Sequence, residues 1–427
     1  MTENPSETYS LRVQTAVYGT GFFNGTTQTM ATMIVALMLA GIFSDQLLFL
    51  IGLIIAARQF LTVSMSIYGG ALMDRYGTRK IVICFGFIGV IAALIYPLFI
   101  GDLGNFPETQ ILNPGLGLVA GLILVQMISG YSEAVTWIGS QALVGQLMKG
   151  HPVYAGRMTF VARIGGFVGP PAVGIFWDYY GMWGAFCFLS LWILGGLLAA
   201  IFLPRFTPHK LEKNVGTIAS EGYRNKTVTS DYGATLRLLL IPAIALVIMI
   251  TVMRQTGSGV QSSFYVVWLR DEIGLSGQLI GWLIGGANAA SAIAALGMGG
   301  LTRRFTTHWS LIVMIVLSIF GIAITPALGD IYILLMMAIC LRGAAQGLNL
   351  PLMMTIMARN VGLNLQARVT ALRITFNRFG GMIIPPIMGG LAELFGLGNS
   401  FYIIGGAGLL GILLLSIWVA RSPSFKN

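Results

Sequence analysis

Charge is what this chain has least of. Of its 427 residues only 9% are Asp, Glu, Lys or Arg, against about 25% in an ordinary soluble domain. A chain of this length folding in water would build several cores with charged surfaces, and there are too few charges here to coat one. Cysteine and histidine are equally scarce, at three each. Cys84, Cys187 and Cys340 sit singly inside apolar runs, while His151, His209 and His308 lie far apart in predicted loops. That excludes a disulfide framework, a paired-cysteine metal site and a histidine cluster. No zinc-protease helix motif and no glycine-rich phosphate loop ending in Lys-Ser or Lys-Thr occurs, so neither an enzyme nor a self-contained ATP-driven pump is expected, and no cofactor is implied. Residues 1–10 are polar, contain Glu3 and Glu7 and lack the basic start and short apolar core of a cleavable signal peptide, which leaves the first span to serve as an uncleaved insertion signal.

What is present is apolar: 56% of the chain is hydrophobic and the mean hydropathy is +0.81. A membrane helix needs about 20 apolar residues. Runs of that kind cover 13–40, 47–72, 80–100, 115–147, 158–178, 183–203, 238–268, 276–300, 309–327, 331–358, 369–393 and 398–420. The sequence therefore predicts an all-α membrane protein of twelve transmembrane helices. Its one long polar stretch, 204–237, carries Lys210, Lys213, Arg224 and Lys226 and reads as a cytoplasmic linker between a bundle at 1–203 and another at 238–427.

The net charge of +10 is mostly a topology signal. With the N-terminus inside, 18 of the 25 basic residues fall in cytoplasmic segments and only Arg270 falls outside, while the outer segments carry Asp45, Asp102, Glu108, Asp178, Asp271, Glu272, Asp330 and Glu393. This bias places both termini in the cytoplasm. The basic residues form no patch interleaved with aromatics, so a nucleic-acid partner is not expected. The expected partners are the lipid bilayer, a small solute and protons, for a monomer in a bacterial inner membrane.

The two halves repeat each other. A shift of 215 residues lays Arg163-Ile-Gly-Gly-Phe-Val-Gly-Pro-Pro on Arg378-Phe-Gly-Gly-Met-Ile-Ile-Pro-Pro, aligns Asp178 with Glu393 and brings Phe186 onto Phe401. The fifth and eleventh spans are thus equivalent elements of a duplicated six-helix unit, a plan that transporters use to rock two halves about a site near the midplane.

Between the second and third spans stands Gly70-Ala-Leu-Met-Asp74-Arg75-Tyr-Gly77-Thr-Arg79-Lys80. Its glycines, acid and basic positions match the loop signature of the major facilitator superfamily, which the chain resembles over essentially its whole length. The resemblance implies two pseudo-symmetric six-helix bundles around a cavity lined by spans 1, 4, 7 and 10, and a conformational latch at Gly70, Asp74, Arg75, Gly77, Arg79 and Lys80. In the second half the equivalent loop has Arg303 where the acid would stand, which makes any latch asymmetric. Gly156, Gly165, Gly169, Pro170 and Gly174 are similar to the fifth-span pattern of drug/proton antiporters, with Val173 in place of one glycine. Small residues in this arrangement also serve close helix packing. In the fourth span Gln126 and Ser129 replace the family's Arg and Gln.

Ionisable groups at membrane depth are costly and are functional candidates by default. Here they are Arg58, Glu133, Arg163, Arg254, Arg342 and Arg378, with Arg373 nearer a helix end. Helical spacing puts Asn24 and Gln28 on one face, Gln126, Glu133 and Trp137 on another, Arg254, Ser258, Gln261 and Tyr265 on a third, and Arg342, Gln346 and Asn349 on a fourth. Arg254 and Arg342 are the expected contacts of an anionic substrate, since guanidinium binds carboxylate in a fork and stays charged. Asn24, Gln28, Trp137, Gln261, Tyr265, Gln346 and Asn349 complete the expected binding set. Glu133, the one acid at midplane, is the candidate proton carrier. Arg58, Arg163 and Arg378 are expected to pair with carbonyls or acids toward the cytoplasmic face. The function implied is secondary active transport of a small organic anion such as a carboxylate, coupled to protons. Proton-coupled drug efflux is the alternative within the class, and a non-transporting assembly factor on the same fold is a third reading.

Overall fold

The computed structural model describes residues 11–99, 111–147, 152–204, 237–297, 305–360 and 363–425, and they are almost entirely helical. Along the first half run α1 (Leu11–Ile42), α2 (Leu48–Tyr76), α3 (Thr78–Leu98), α4 (Leu116–Leu147) and α5 (Pro152–Ile201). The second half holds α6 (Pro242–Met253), α7 (Gln255–Gln261), α8 (Phe264–Asp271), α9 (Gly277–Leu296), α10 (Thr307–Ala323), α11 (Tyr332–Asn360), α12 (Leu363–Phe395) and α13 (Leu397–Arg421). Nine helical stretches among the described residues are long and apolar enough to cross a membrane. The second arm of α5, the shorter α10 and the polar-streaked α12 bring the candidate crossings to twelve. The linker expected at 204–237 lies, apart from its ends, outside the described residues.

Two departures from the expected spans have local causes. Spans five and six, grouped here as α5, are two helical arms joined directly at a kink at Gly181, whose φ of 64° and ψ of −159° only glycine adopts without strain. Span seven, by contrast, is three pieces. Gly257, Gly259, Ser258 and Ser262 weaken helix propensity through this stretch, and Ser263 sits at φ −128°, ψ −93° between α7 and α8.

Apolar packing is distributed unevenly. On the face away from the chain termini one continuous core joins both halves, from Ile34–Phe43, Ile51 and Phe186 of the first to Val260, Phe264–Leu269, Ile280, Met388 and Phe401 of the second. On the termini face the cores separate. Ala243–Ile250, Ile315, Leu352 and Leu415 cluster within the second half, whereas Val17, Val82, Leu143 and Leu203 cluster within the first, with a smaller group at Met73, Ile81 and Val135. Among the described residues the apolar core is shared by the halves on the far face and divided between them on the termini face.

Two seams make the seal, and α5 and α12 enter them at positions related by the 215-residue offset. In one, α5 lies on α9: Gly174 abuts the backbone of Gly277, Gly281 abuts Pro170, and Gly166 lies against Asn288. In the other, α12 lies on α2: Gly389 abuts Leu48, Gly52 abuts Pro385, and Gly381 lies against Gln59. Asp178 accepts from the backbone N–H of Gly277 (2.7 Å) and Gln278 (2.8 Å), and Glu393 accepts from Phe49 (2.7 Å). Each acid thus caps the positive end of a helix from the opposite half, where an anion is favoured. Both had been expected in outer connections; they lie instead on α5 and α12 at the helix ends that face one another.

Loss of such a cap costs about 1 kcal/mol. The double variant Asp178→Ala/Glu393→Ala removes two caps, about 2 kcal/mol together, and is therefore expected to raise the population of far-face-open molecules roughly thirtyfold. Spin labels at Tyr179 and Ile331, two exposed far-face positions, report it as a new longer distance; an unchanged distribution rules the caps out as part of the seal.

Candidate functional site

Between the halves lies a cavity of about 480 Å³. Its wall draws on α1, α2, α4, α5, α7, α8, α9, α11 and α12, with Arg254 at the junction of α6 and α7. Five arginines line it, Arg58, Arg163, Arg254, Arg342 and Arg378, and no Asp or Glu is among the described lining residues.

Of the expected binding set, Arg254, Arg342, Gln28, Trp137, Gln261 and Gln346 stand on this wall, and Asn24, Tyr265 and Asn349 do not. Asn24 instead donates to Ser140 Oγ at 2.9 Å, joining α1 to α4. Asn349 is fully buried with neither amide atom bonded. Tyr265 was placed on the Arg254 face by assuming an unbroken helix; the break at Ser262–Ser263 turns it into the far-face core beside Trp268.

Arg163 and Arg378 reach the cavity rather than pairing toward the cytoplasmic face. Arg163 donates to Asn288 Oδ1 at 3.4 Å and Arg378 to Gln59 Oε1 at 3.0 Å, each across the seam to the other half. The repeat had marked these arginines as equivalent, but only the assembled seams show what they reach. Gln141 and Asn377 also line the cavity and escaped the sequence reading. Gln141 lies one helical turn beyond Trp137, a signal that was available.

Arg58 is neutralised by Glu133. Its Nη2 makes a salt bridge to Glu133 Oε2, with the two side chains 2% and 6% exposed. Nη1 donates to Gln126 Oε1 at 3.3 Å and Ser129 Oγ at 3.2 Å, and Tyr96 donates to the same Gln126 oxygen at 3.0 Å. Gly130 makes the pair possible: a Cβ there would strike the Arg58 carbonyl, so α4 comes this close to α2 only without one. The substitutions at positions 126 and 129 therefore build a cradle for Arg58.

The cavity-lining cations of the second half make no salt bridge to an acid among the described residues. Arg254 Nη2 donates to Asn377 Oδ1, while its Nε is buried and unbonded. Arg342 is 1% exposed, and neither its Nε nor its Nη2 has a partner among the described residues. A desolvated cation left in this state is unfavourable unless something anionic meets it.

The loop-signature residues lie at and beside the turn between α2 and α3. Gly77, at φ 91°, makes the tight turn between α2 and α3. Arg79 donates to the carbonyls of Ala200 (3.4 Å) and Ile201 (2.7 Å), so it caps the end of α5 within its own half. Arg75 lies over the Tyr76 ring, Lys80 is exposed, and the side chain of Asp74 and the surroundings of Gly70 lie outside the described residues. In the fifth-span pattern Gly165 and Gly169 receive α1, Pro170 and Gly174 receive α9, and Gly156 faces open space.

The sequence profile of the Major Facilitator Superfamily matches residues 17–253 and again 247–427. The chain belongs to the major facilitator superfamily. It is a multi-pass membrane protein and a secondary transporter, not an enzyme. Solved superfamily structures share the fold at low identity. A nucleoside transporter, NupG, superposes with a TM-score of 0.73 at 13% identity, covering 96% of this chain and 99% of that one. A D-xylose–proton symporter gives 0.73 at 15% identity, covering 98% and 99%. The xylose transporter XylE from E. coli, in an inward-open conformation, gives 0.70 at 14% identity with 96% of both chains covered. No curated protein matches the sequence.

Proposed function

We propose that this transporter carries a small organic anion, a carboxylate being the simplest case, by alternating access and in company with protons. The observation that carries the reading is the charge of the cavity: four arginines on its wall make no salt bridge to an acid among the described residues, and Nε and Nη2 of Arg342 have no hydrogen-bond partner there. An incoming carboxylate supplies the missing charge and accepts from the guanidinium fork. The positive-inside bias makes the termini face cytoplasmic, so the sealed far face corresponds to an inward-facing state of two rocking halves.

Glu133 is the proposed proton carrier. Arg58 lines the cavity while Glu133 lies behind it. Substrate that draws Arg58 forward leaves the Glu133 carboxylate without its cation, and a proton taken up there replaces the lost positive charge. One anion and one proton then move together. Glu133→Gln keeps an amide oxygen for Arg58 yet cannot titrate, so the variant is expected to bind substrate while losing the dependence of transport on a proton gradient. Retained pH dependence in proteoliposomes sinks this role.

The anion reading is tested by thermal shift of the purified protein against carboxylates, sulfonates, phosphonates and cationic drugs. Stabilisation by anions that disappears in Arg254→Ala is expected, and stabilisation by cations alone overturns it. Cation efflux is disfavoured by a cavity wall lined with arginines, and Gly165, Gly169 and Gly174 of the fifth span are engaged in helix packing.

A further inference from the structure

Four glutamines of the cavity wall stand apart from the other amides. Asn288, Gln59 and Asn377 accept from Arg163, Arg378 and Arg254, and Gln255 is engaged by Ser258 and the Asn377 carbonyl. Gln28, Gln141, Gln261 and Gln346 make no side-chain hydrogen bond to any described residue. They come one each from α1, α4, α7 and α11, so both halves contribute equally.

The chemistry of these side chains narrows the ligand. A bare carboxylate only accepts hydrogen bonds, and arginines that only donate already serve it. A glutamine presents two donors and an acceptor, and its acceptor is matched only by a ligand group that also donates. Hydroxyl groups do both. Trp137, on the same wall as Gln141, offers a flat apolar face of the kind that covers the C–H side of a hydroxylated carbon chain.

We propose that the substrate is a polyhydroxylated carboxylate, its acid end held by Arg254 and Arg342 and its hydroxyls read by Gln28, Gln141, Gln261 and Gln346. The proposal rests on the anion reading above for the acid end, and on the four free amides for the hydroxyls. An aliphatic acid entering this cavity strips water from the glutamines and leaves them unpaired, which is a strong basis for rejection. A neutral polyol satisfies the amides but leaves Arg342 without its anion.

Titration calorimetry of the purified full chain with three probes separates the two elements. Gluconate carries both a carboxylate and hydroxyls, hexanoate has the carboxylate alone, and sorbitol has the hydroxyls alone. Gluconate is expected to bind, with hexanoate and sorbitol each weaker by about a hundredfold or more. Gln141→Leu and Gln346→Leu are each expected to weaken gluconate about tenfold, with the thermal midpoint of the protein unchanged. Hexanoate binding as tightly as gluconate overturns the hydroxyl assignment and leaves the anion reading standing. Sorbitol binding as tightly as gluconate does the reverse. Parent-like gluconate affinity in both leucine variants removes the glutamines from the site, and no binding of any probe overturns the proposal.

Discussion

Arg342→Met is expected to reduce anion transport by more than about a hundredfold while leaving the protein at least as stable as its parent. Both halves of this result follow from the burial of one guanidinium. Its Nε and Nη2 are out of water with no partner among the described residues, and such a charge destabilises the fold that holds it. Methionine fills most of the same space without the charge. Transport moves the other way, because losing one partner of a desolvated charge pair costs about 2–5 kcal/mol. Proteoliposome uptake set beside thermal unfolding checks the pair of outcomes. Arg342→Lys keeps the charge and loses the fork, so it is expected to fall between parent and methionine. Normal uptake in Arg342→Met removes this residue from the binding site, and a large loss of stability means that Arg342 holds structure.

Glu133→Ala is expected to destabilise the first half by about 3–5 kcal/mol, the cost of leaving one member of a buried ion pair without its partner. Arg58 would then be stranded, bonded only to Gln126 and Ser129. The decisive comparison is with Arg58→Met/Glu133→Met, which removes both charges and is expected to recover most of that loss, since buried pairs often add little over apolar residues of like volume. Thermal unfolding in detergent measures stability, and uptake is expected to fail in both variants. A double variant as unstable as the single one shows that the pair contributes more to folding than its two charges cancel.

These contrasting arginines show how far sequence reading reaches. Composition, run length and the loop signature were enough for the helices and the family, because a lipid environment leaves a chain few ways to satisfy its backbone. Arg254 and Arg342 stood out because a charge in an apolar run is conspicuous. Tyr265 was misplaced because helical spacing extrapolates only through an unbroken helix, and two serines broke it. Arg163 and Arg378 were read as local pairs because no rule of spacing along one helix says which residue of another helix it meets. The four free glutamines were beyond sequence for the same reason: whether an amide is satisfied depends on neighbours brought in from distant parts of the chain.

By itself the sequence determined the membrane setting, the repeat, the family and an excess of cations over acids within the spans, all of which are one-dimensional properties of charge and hydropathy. The tertiary structure decided which cations have partners. It assigned Glu133 to Arg58, turned the aligned pair Asp178 and Glu393 into caps on opposite helices, and placed Arg342 and four glutamines on the wall of one cavity. The physical reason is that pairing and desolvation depend on distances across the fold, and those distances exist only once the two halves have packed.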